Sequence, residues 1–146
     1  MSNAIIGYGS TFSYGNQSTV AATTVWTPVG EVKTFDLPAI TVDEVDVTNM
    51  DSPNAFKEYI FGLKDGGNIT VTLNYDKSEL EALYGLLRIK RGFQATVPDT
   101  DGTGDGSVWT FDGFVTNVSG NVAVADAIEL SVSIRVTGNV EFTPAA

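Results

Sequence analysis

The chain has no cysteine and no histidine among its 146 residues. Without cysteine it can build neither a disulfide framework nor a thiolate metal site. The absence of histidine removes the side chain that most often acts as an acid or base near neutral pH, and that most often binds metals. We therefore expect a protein that is not an enzyme and that needs no cofactor.

Positive charge is also scarce, because 8 Lys and Arg residues stand against 18 Asp and Glu residues, for a net charge of −10. Tight binding to a phosphate backbone needs clustered cations, so this composition disfavours a nucleic-acid-binding protein. No run approaches the roughly 20 apolar residues of a membrane span, and the start has no basic segment followed by an apolar one. We expect no membrane insertion and no secretion signal.

The remaining pattern predicts one domain that is mainly β. Residues 1–23 are rich in Gly, Ser, Thr and Asn, which is typical of a flexible N-terminal arm. Strands are predicted within residues 24–37 and at 39–47, 69–75, 93–97, 107–116, 122–124 and 128–137. The fold class that follows is a β-sandwich or half-open barrel of about seven to nine strands with one flanking helix.

The single predicted helix covers residues 78–90. Ser78 and Glu81 have the spacing of a capping box, and a cationic segment ending in Gly92 follows. The apolar face expected to pack on the sheet consists of Leu80, Leu83, Tyr84 and Leu87.

The predicted strand at residues 39–47 contains a break in its alternation. Ile40 and Val42 occupy one face, whereas Val45 and Val47 have the opposite phase. A β-bulge near Asp43 would reconcile the two halves, since one extra residue turns every later side chain to the other face. Alternatively both faces are partly buried, as in an assembly.

A long loop is predicted at residues 48–61, between this strand and a turn at Lys64–Gly67. Compact domains seldom need connections of this length, so the loop indicates a function. Phe56, Tyr59 and Ile60 have helical spacing, which leaves open a short turn packed on the same domain or a contact with another molecule.

Two binding functions are weighed and disfavoured. Asp99, Asp101 and Asp105 resemble the start of a calcium loop, but Thr110 stands where the bidentate glutamate is required. Trp26 and Trp109 could form the platform of a monomeric carbohydrate-binding module. Each tryptophan lies within an apolar strand pattern, so core packing is the preferred interpretation of both.

The central segment resembles the major tail tube proteins of long-tailed phages with non-contractile, lambda-type tails. The features that carry this resemblance are Asp46-Val47-Thr48, Asp51-Ser52, the Gly62–Gly67 turn, the helix and the Phe111–Val115 segment. The likeness extends over about residues 24–142.

The resemblance implies a structural protein of the virion tail, assembled in the host cytoplasm as stacked hexameric rings that form a hollow tube for phage DNA. It implies tape-measure, tail-terminator and tail-tip partners, and a β domain at residues 24–138 followed by a C-terminal arm at 139–146. A subunit of a related bacterial secretion tube is the nearest alternative. The residues implied to stack one ring on the next are Asn49, Asp51, Ser52, Asn54, Phe56, Lys57 and Tyr59.

An acidic tube interior would repel DNA phosphates and let the DNA slide. The polar strand faces and the net charge motivate this hypothesis. Its candidate lumen-lining residues are Glu31, Asp36, Glu44, Asp46 and Glu129.

Overall fold

The computed structural model describes residues 8–17, 24–98 and 106–144. Within these ranges the chain forms nine strands and one α-helix, so the predicted mainly β class is confirmed. The elements in chain order are β1 (Thr11–Gly15), β2 (Trp26–Pro28), β3 (Val32–Phe35), β4 (Thr41–Asp46), β5 (Tyr59–Asp65), β6 (Asn68–Asn74), α1 (Lys77–Gly85), β7 (Lys90–Thr96), β8 (Val108–Asn121) and β9 (Glu129–Thr143).

Seven strands form one antiparallel sheet in the order β2-β1-β7-β8-β9-β6-β3. Its spine is the pairing of β8 with β9, which runs from Val108 opposite Thr143 to Asn121 opposite Glu129. The other two strands, β4 and β5, pair with each other in a separate antiparallel hairpin. The fold therefore has one large body and one projection.

The core lies on one face of the large sheet, as the alternation in β6 and β9 predicts. Ile69, Val71 and Leu73 of β6 are buried, and the intervening residues point to the opposite face. The same alternation buries Leu130, Val132, Ile134 and Val136 in β9. Strand alternation alone thus identifies the core residues of the two best-predicted strands.

Four phenylalanines close the curl of the sheet. Phe12 packs between Phe35 of β3 and Phe93 of β7, with ring centroids 5.6 and 5.9 Å away, and Phe93 stacks on Phe111 at 5.9 Å. Because β1 and β3 lie near opposite ends of the strand order, this row bends the sheet into a half-open barrel.

Backbone hydrogen bonds complete the closure. The amide of Val29 donates to the carbonyl of Phe12 at 2.8 Å, and the amide of Asn74 donates to the carbonyl of Glu31 at 3.0 Å. Residues 29–31 therefore join the two ends of the curled sheet.

The helix plugs the core but differs from its predicted bounds. Its N-cap is Asp76, which accepts hydrogen bonds from the amides of Ser78 and Glu79, so the predicted capping box on Ser78 is wrong. The helix ends at Gly85, and Lys90 and Arg91 belong to β7 rather than to its last turn. Leu83 and Leu86 are buried against the sheet.

Strands occupy part of each segment predicted to be an arm. Thr11–Gly15, inside the predicted arm at 1–23, is strand β1, and Phe12 is only 2% exposed. Residues 139–143, inside the predicted C-terminal arm, continue β9 and pair with β8. The polar composition of residues 1–23 predicts an arm, but Phe12 is buried in the core and β1 pairs with β7.

The sheet face opposite the core is lined with hydroxyl and amide side chains. Cross-strand partners share a face in an antiparallel pair, and Thr70 opposes Ser133 while Thr72 opposes Ser131. On β8, Asn117 and Ser119 continue the same rows. We call this surface of β6, β9 and the end of β8 the polar face.

We expect Phe12→Ala to lower the free energy of unfolding by about 3–5 kcal/mol, because it deletes a buried aromatic ring from the row that closes the sheet. The control is Tyr8→Ala, since Tyr8 is 89% exposed and its replacement belongs within about 0.5 kcal/mol of wild type. Urea unfolding measures both. Equal stability of the two variants would show that β1 does not contribute to the core.

Candidate assembly interface

The hairpin of β4 and β5 has no covering layer in the described structure. Every residue of β4 is exposed, and β5 has only two half-buried residues, Gly62 and Asp65. The large apolar side chains exposed on this projection are Ile40, Val42, Val45, Val47, Met50, Phe56, Tyr59, Ile60, Phe61 and Leu63. We call residues 40–65 the projecting hairpin.

The predicted bulge in β4 is confirmed, because the pairing with β5 shifts register between Val42 and Glu44. Beyond the bulge Val45 opposes Ile60 on one face, whereas Glu44 opposes Phe61 on the other. Apolar side chains therefore occupy both faces of the hairpin. Both faces of the hairpin are exposed to solvent in the monomer. This agrees with the alternative that the strand is buried on both faces in an assembly.

The connection between β4 and β5 is ordered by its own polar side chains. The amides of Thr48 and Asp51 donate to the side chains of Asp46 and Asn49, respectively, at 2.9 and 2.8 Å. The amide of Glu58 donates to Thr48 Oγ1 at 2.8 Å, and Ser52 Oγ donates to Glu58 Oε2 at 2.8 Å. The side-chain and backbone hydrogen bonds from Thr48 lower the pKa of Asp46.

Glu58 closes this network across the loop, although no local sequence pattern selects it as a functional residue. Its role depends on the antiparallel alignment of β4 and β5, which places Glu58 across from Val47, whose amide donates to the carbonyl of Glu58 at 2.9 Å. The loop residues Asn49, Asp51, Ser52, Asn54, Phe56 and Lys57 predicted as stacking residues all lie on this connection.

The loop between β4 and β5 is shorter in the structure than the predicted 48–61, because β5 begins at Tyr59. Tyr59, Ile60 and Phe61 belong to β5, so the helical turn considered for Phe56, Tyr59 and Ile60 is wrong. A 3₁₀ turn at Pro53–Ala55 precedes them instead. Phe56 is 71% exposed and does not pack on its own domain.

Exposed Met50, Phe61 and Leu63 were missed as candidates for a contact surface. Phe61 and Leu63 are 85% and 83% exposed. Their apolar character is visible in the sequence, but only the absence of a second layer over β5 shows that they face solvent.

The projecting hairpin is fixed to the main sheet at its base. Asp65 Oδ1 accepts from the amide of Gly67 at 2.9 Å, and Asp65 Oδ2 accepts from Arg135 Nη2 at 2.9 Å. These two interactions, the Gly67 bond first, lower the pKa of Asp65. Gly66 is buried beside β9, and a Cβ atom there would lie 2.5 Å from Val136 Cγ1.

The five acidic residues predicted to line a lumen do not form one cluster. Glu129 follows the polar face and pairs with Lys33, and Asp36 accepts from the amide of Thr70 at 3.4 Å. Glu44 and Asp46 lie on the projecting hairpin. Glu31 is exposed at the junction that closes the barrel, with a left-handed backbone at φ 54°.

The described residues give no support for the two disfavoured functions, calcium binding and carbohydrate binding. Asp99, Asp101 and Asp105 of the calcium-like loop lie outside them, and the described ranges hold no cluster of three residues able to bind a metal. Trp109 packs against the core and against Phe142, with ring centroids 4.9 Å apart, which confirms core packing for this tryptophan. No helix within those ranges is long and apolar enough to span a membrane.

The chain combines a curled β domain with an apolar hairpin that nothing in the described structure covers. This combination is typical of a protein that is a subunit of a larger assembly. Solved structures with the same fold are tube and tail components. The tail of an empty gene transfer agent particle with C6 symmetry has a chain with a TM-score of 0.72 and 12% identity, covering 96% of this chain and 99% of that one.

Two further structures extend the comparison. A chain of the PVC extracellular contractile injection system, in its sheath–tube complex, has a TM-score of 0.70 and 14% identity, with coverage of 97% and 92%. The SPP1 tail tube has a TM-score of 0.65 and 16% identity, with coverage of 97% and 80%. No curated protein sequence gives a significant match.

The family described as lambda phage tail tube protein, TTP, matches residues 8–143, and the chain belongs to this family. It is a structural protein of a phage tail tube, and therefore a component of the virion tail. The resemblance noted in the central segment is confirmed, and the match also includes the β1 segment assigned to an arm.

We expect Asp65→Asn to loosen the projecting hairpin at neutral pH, because the charged carboxylate holds both Gly67 and Arg135. The pKa of Asp65 is lowered from 3.8, so its stabilising effect is present above that value and is lost as the pH falls through the folded-state pKa. Amide hydrogen exchange of β4 and β5 measures the effect.

The matched control is Glu44→Gln, which removes a hairpin carboxylate that lies away from this anchor. Faster exchange is expected for Asp65→Asn only, and the difference from wild type should shrink well below pH 3.8. A difference that persisted unchanged in acid would contradict an anchoring role for the Asp65 charge.

Proposed function

We propose that the chain polymerises as stacked hexameric rings into a hollow tail tube through which phage DNA passes into the host. The projecting hairpin is the single observation that carries this proposal. It presents ten large apolar side chains along its two strands and the segments that flank and connect them. An isolated two-stranded hairpin is at best marginally stable in water, so other subunits supply the missing layers.

The hairpin contacts the neighbouring ring. Monomeric proteins rarely expose contiguous apolar patches larger than a few hundred Å², and such patches mark interaction sites. The polar network of Thr48, Ser52 and Glu58 holds the loop in one shape before assembly. A loop that is already ordered loses less conformational entropy on docking, which favours polymerisation.

A ring of six is supported by the C6 symmetry of the gene transfer agent tail, whose chain has the same fold. Contacts between unlike surfaces of identical subunits produce rings when the rotation closes and helical stacks when it does not. Both kinds of contact are needed for a tube made of rings.

The polar face lines the bore of the tube in this proposal. Its hydroxyl and amide groups are satisfied by water, while the opposite face of the same sheet is dry. Asp36 and Glu129 lie along this surface, and Glu31 remains a predicted lumen residue. Glu44 and Asp46, also predicted to line the lumen, lie on the hairpin that contacts the neighbouring ring in this proposal. Six copies carry a net formal charge of about −60, six times the −10 of one chain, so DNA phosphates are repelled and do not stick.

The proposed partners are other copies of the chain and the proteins that bound the tube: tape-measure, tail-terminator and tail-tip proteins. Structures with this fold include a tube-terminating cap and a baseplate, which supports such ends. Assembly takes place in the host cytoplasm before virion completion. The proposal assigns no catalytic step and no cofactor to the chain.

A second candidate is the tube of a contractile injection system. The TM-score of 0.70 with the sheath–tube complex favours it, because the fold alone serves both kinds of tube. A contractile system requires a sheath around the tube. Co-purification of the native tube with or without a sheath protein separates the two candidates.

We expect Phe56→Ala/Tyr59→Ala to give a folded monomer that no longer forms tubes, because both exposed rings belong to the ring-stacking contact. Negative-stain electron microscopy of the purified protein measures tube formation, and circular dichroism checks the fold. The matched control is Val122→Ala/Val124→Ala, which removes two exposed apolar side chains outside the hairpin. Normal tubes from the hairpin variant would count against the stacking role.

We also expect a reconstruction of the tube to show an acidic bore lined by the polar face. The reason is that repulsion between carboxylates and DNA phosphates keeps the transit path free of strong binding. A neutral or basic bore would show that the acidic charge lies elsewhere and that the lumen assignment is wrong.

A further inference from the structure

We propose that the projecting hairpin of one copy docks in a basic groove of a second copy. This groove lies just beyond the C-terminal end of α1, and its lining is Leu87, Arg88, Lys90, Phe114, Val115 and Thr116. The inference rests on the proposed function, since it names the surface that receives the hairpin within the tube.

Positive charge is concentrated at the groove. Arg88 and Lys90, two of the eight cationic residues in the chain, line it only two positions apart. Among the described residues, Lys33 and Arg135 each pair with a carboxylate, and neither Arg88 nor Lys90 does. The groove therefore carries charge that its own subunit, as far as it is described, does not neutralise.

Residues 87–90 form one side of the groove, and both ends of this segment pair with β8. Leu87 bridges to Val115 of β8, and Lys90 pairs with Phe114 at the start of β7. Arg88 lies between them with a left-handed backbone at φ 65°, and its side chain is exposed. Half-buried Leu87 and Phe114 supply an apolar floor beside these cations.

The free end of the projecting hairpin has the complementary composition. Between Glu44 and Tyr59 it carries four acidic residues and a single lysine, Lys57. Exposed Phe56 and Tyr59 lie on the same segment. Each surface combines apolar side chains with an excess of one sign of charge, and the signs are opposite.

The occupant of the groove is a second copy rather than the hairpin's own subunit. The hairpin is fixed to its own fold at β9, by Asp65 with Arg135, while the groove is built from residues of β7 and β8 and the segment after α1. Two unlike surfaces on identical chains make a head-to-tail contact, the kind that generates rings and stacks.

The test measures the critical concentration for tube formation by sedimentation of the full-length protein. Arg88→Glu/Lys90→Glu should raise it about tenfold or more, because like charges then face each other across the contact. Glu44→Lys/Asp51→Lys should have a similar effect from the other side. Neither Glu44 nor Asp51 has a side-chain hydrogen bond within the described residues, so the hairpin itself should be unchanged.

The decisive variant combines all four substitutions, since the swapped charges are again complementary. We expect its critical concentration to return most of the way to the wild-type value. Lys77→Glu is the control for reversing a lysine elsewhere, at the first position of α1, and should assemble normally. Circular dichroism checks the fold, and Arg88→Gln/Lys90→Gln replaces the first variant if charge reversal prevents folding.

Three results would overturn the proposal. Wild-type-like assembly of both groove variants would place the contact elsewhere and leave tube formation intact. Failure of the four-substitution variant to recover would show that the hairpin and the groove serve different contacts. If the wild-type protein forms no tubes at all, the proposed function fails together with this inference.

Discussion

The contact of Phe12 with Phe35 is the interaction on which the rest of the structure depends. It joins strands from near the two ends of a seven-stranded order, and Phe93 and Phe111 extend it across the sheet. One face is dry because the sheet curls around this row. The polar side chains lie on the other face. Strands β4 and β5 do not join the seven-stranded sheet and form a separate hairpin.

This separation explains how one small chain can be both a stable unit and an incomplete one. The core, the N-cap at Asp76 and the long β8–β9 pairing stabilise the body. The projecting hairpin depends on Asp65 and Gly66 at its base and on the Thr48–Glu58 network at its end. Its apolar faces remain available for other subunits, which is what a tail tube protein requires.

The distribution of charge sets the proposed orientation of one subunit relative to the next. Acidic residues follow the hairpin and the edge of the polar face, while Arg88 and Lys90 place two positive charges on the groove beyond α1. Electrostatic complementarity between surfaces sets orientation more than affinity. Apolar contacts supply the free energy of stacking, and the charges select one of the possible arrangements.

Sequence patterns alone predict the strand alternation in β6 and β9, the bulge in β4, a single helix and a resemblance to the family to which the chain belongs. Each of these depends on local periodicity or on residues close together in the chain. The sequence patterns do not show that Thr11–Gly15 joins the core or that residues 139–143 continue β9, because the strand partners of these segments are distant in sequence. The same holds for the anchor of Asp65 on Arg135, seventy residues away, and for the exposure of Phe61. Composition describes what a side chain prefers, and only the packed fold determines whether another layer covers it.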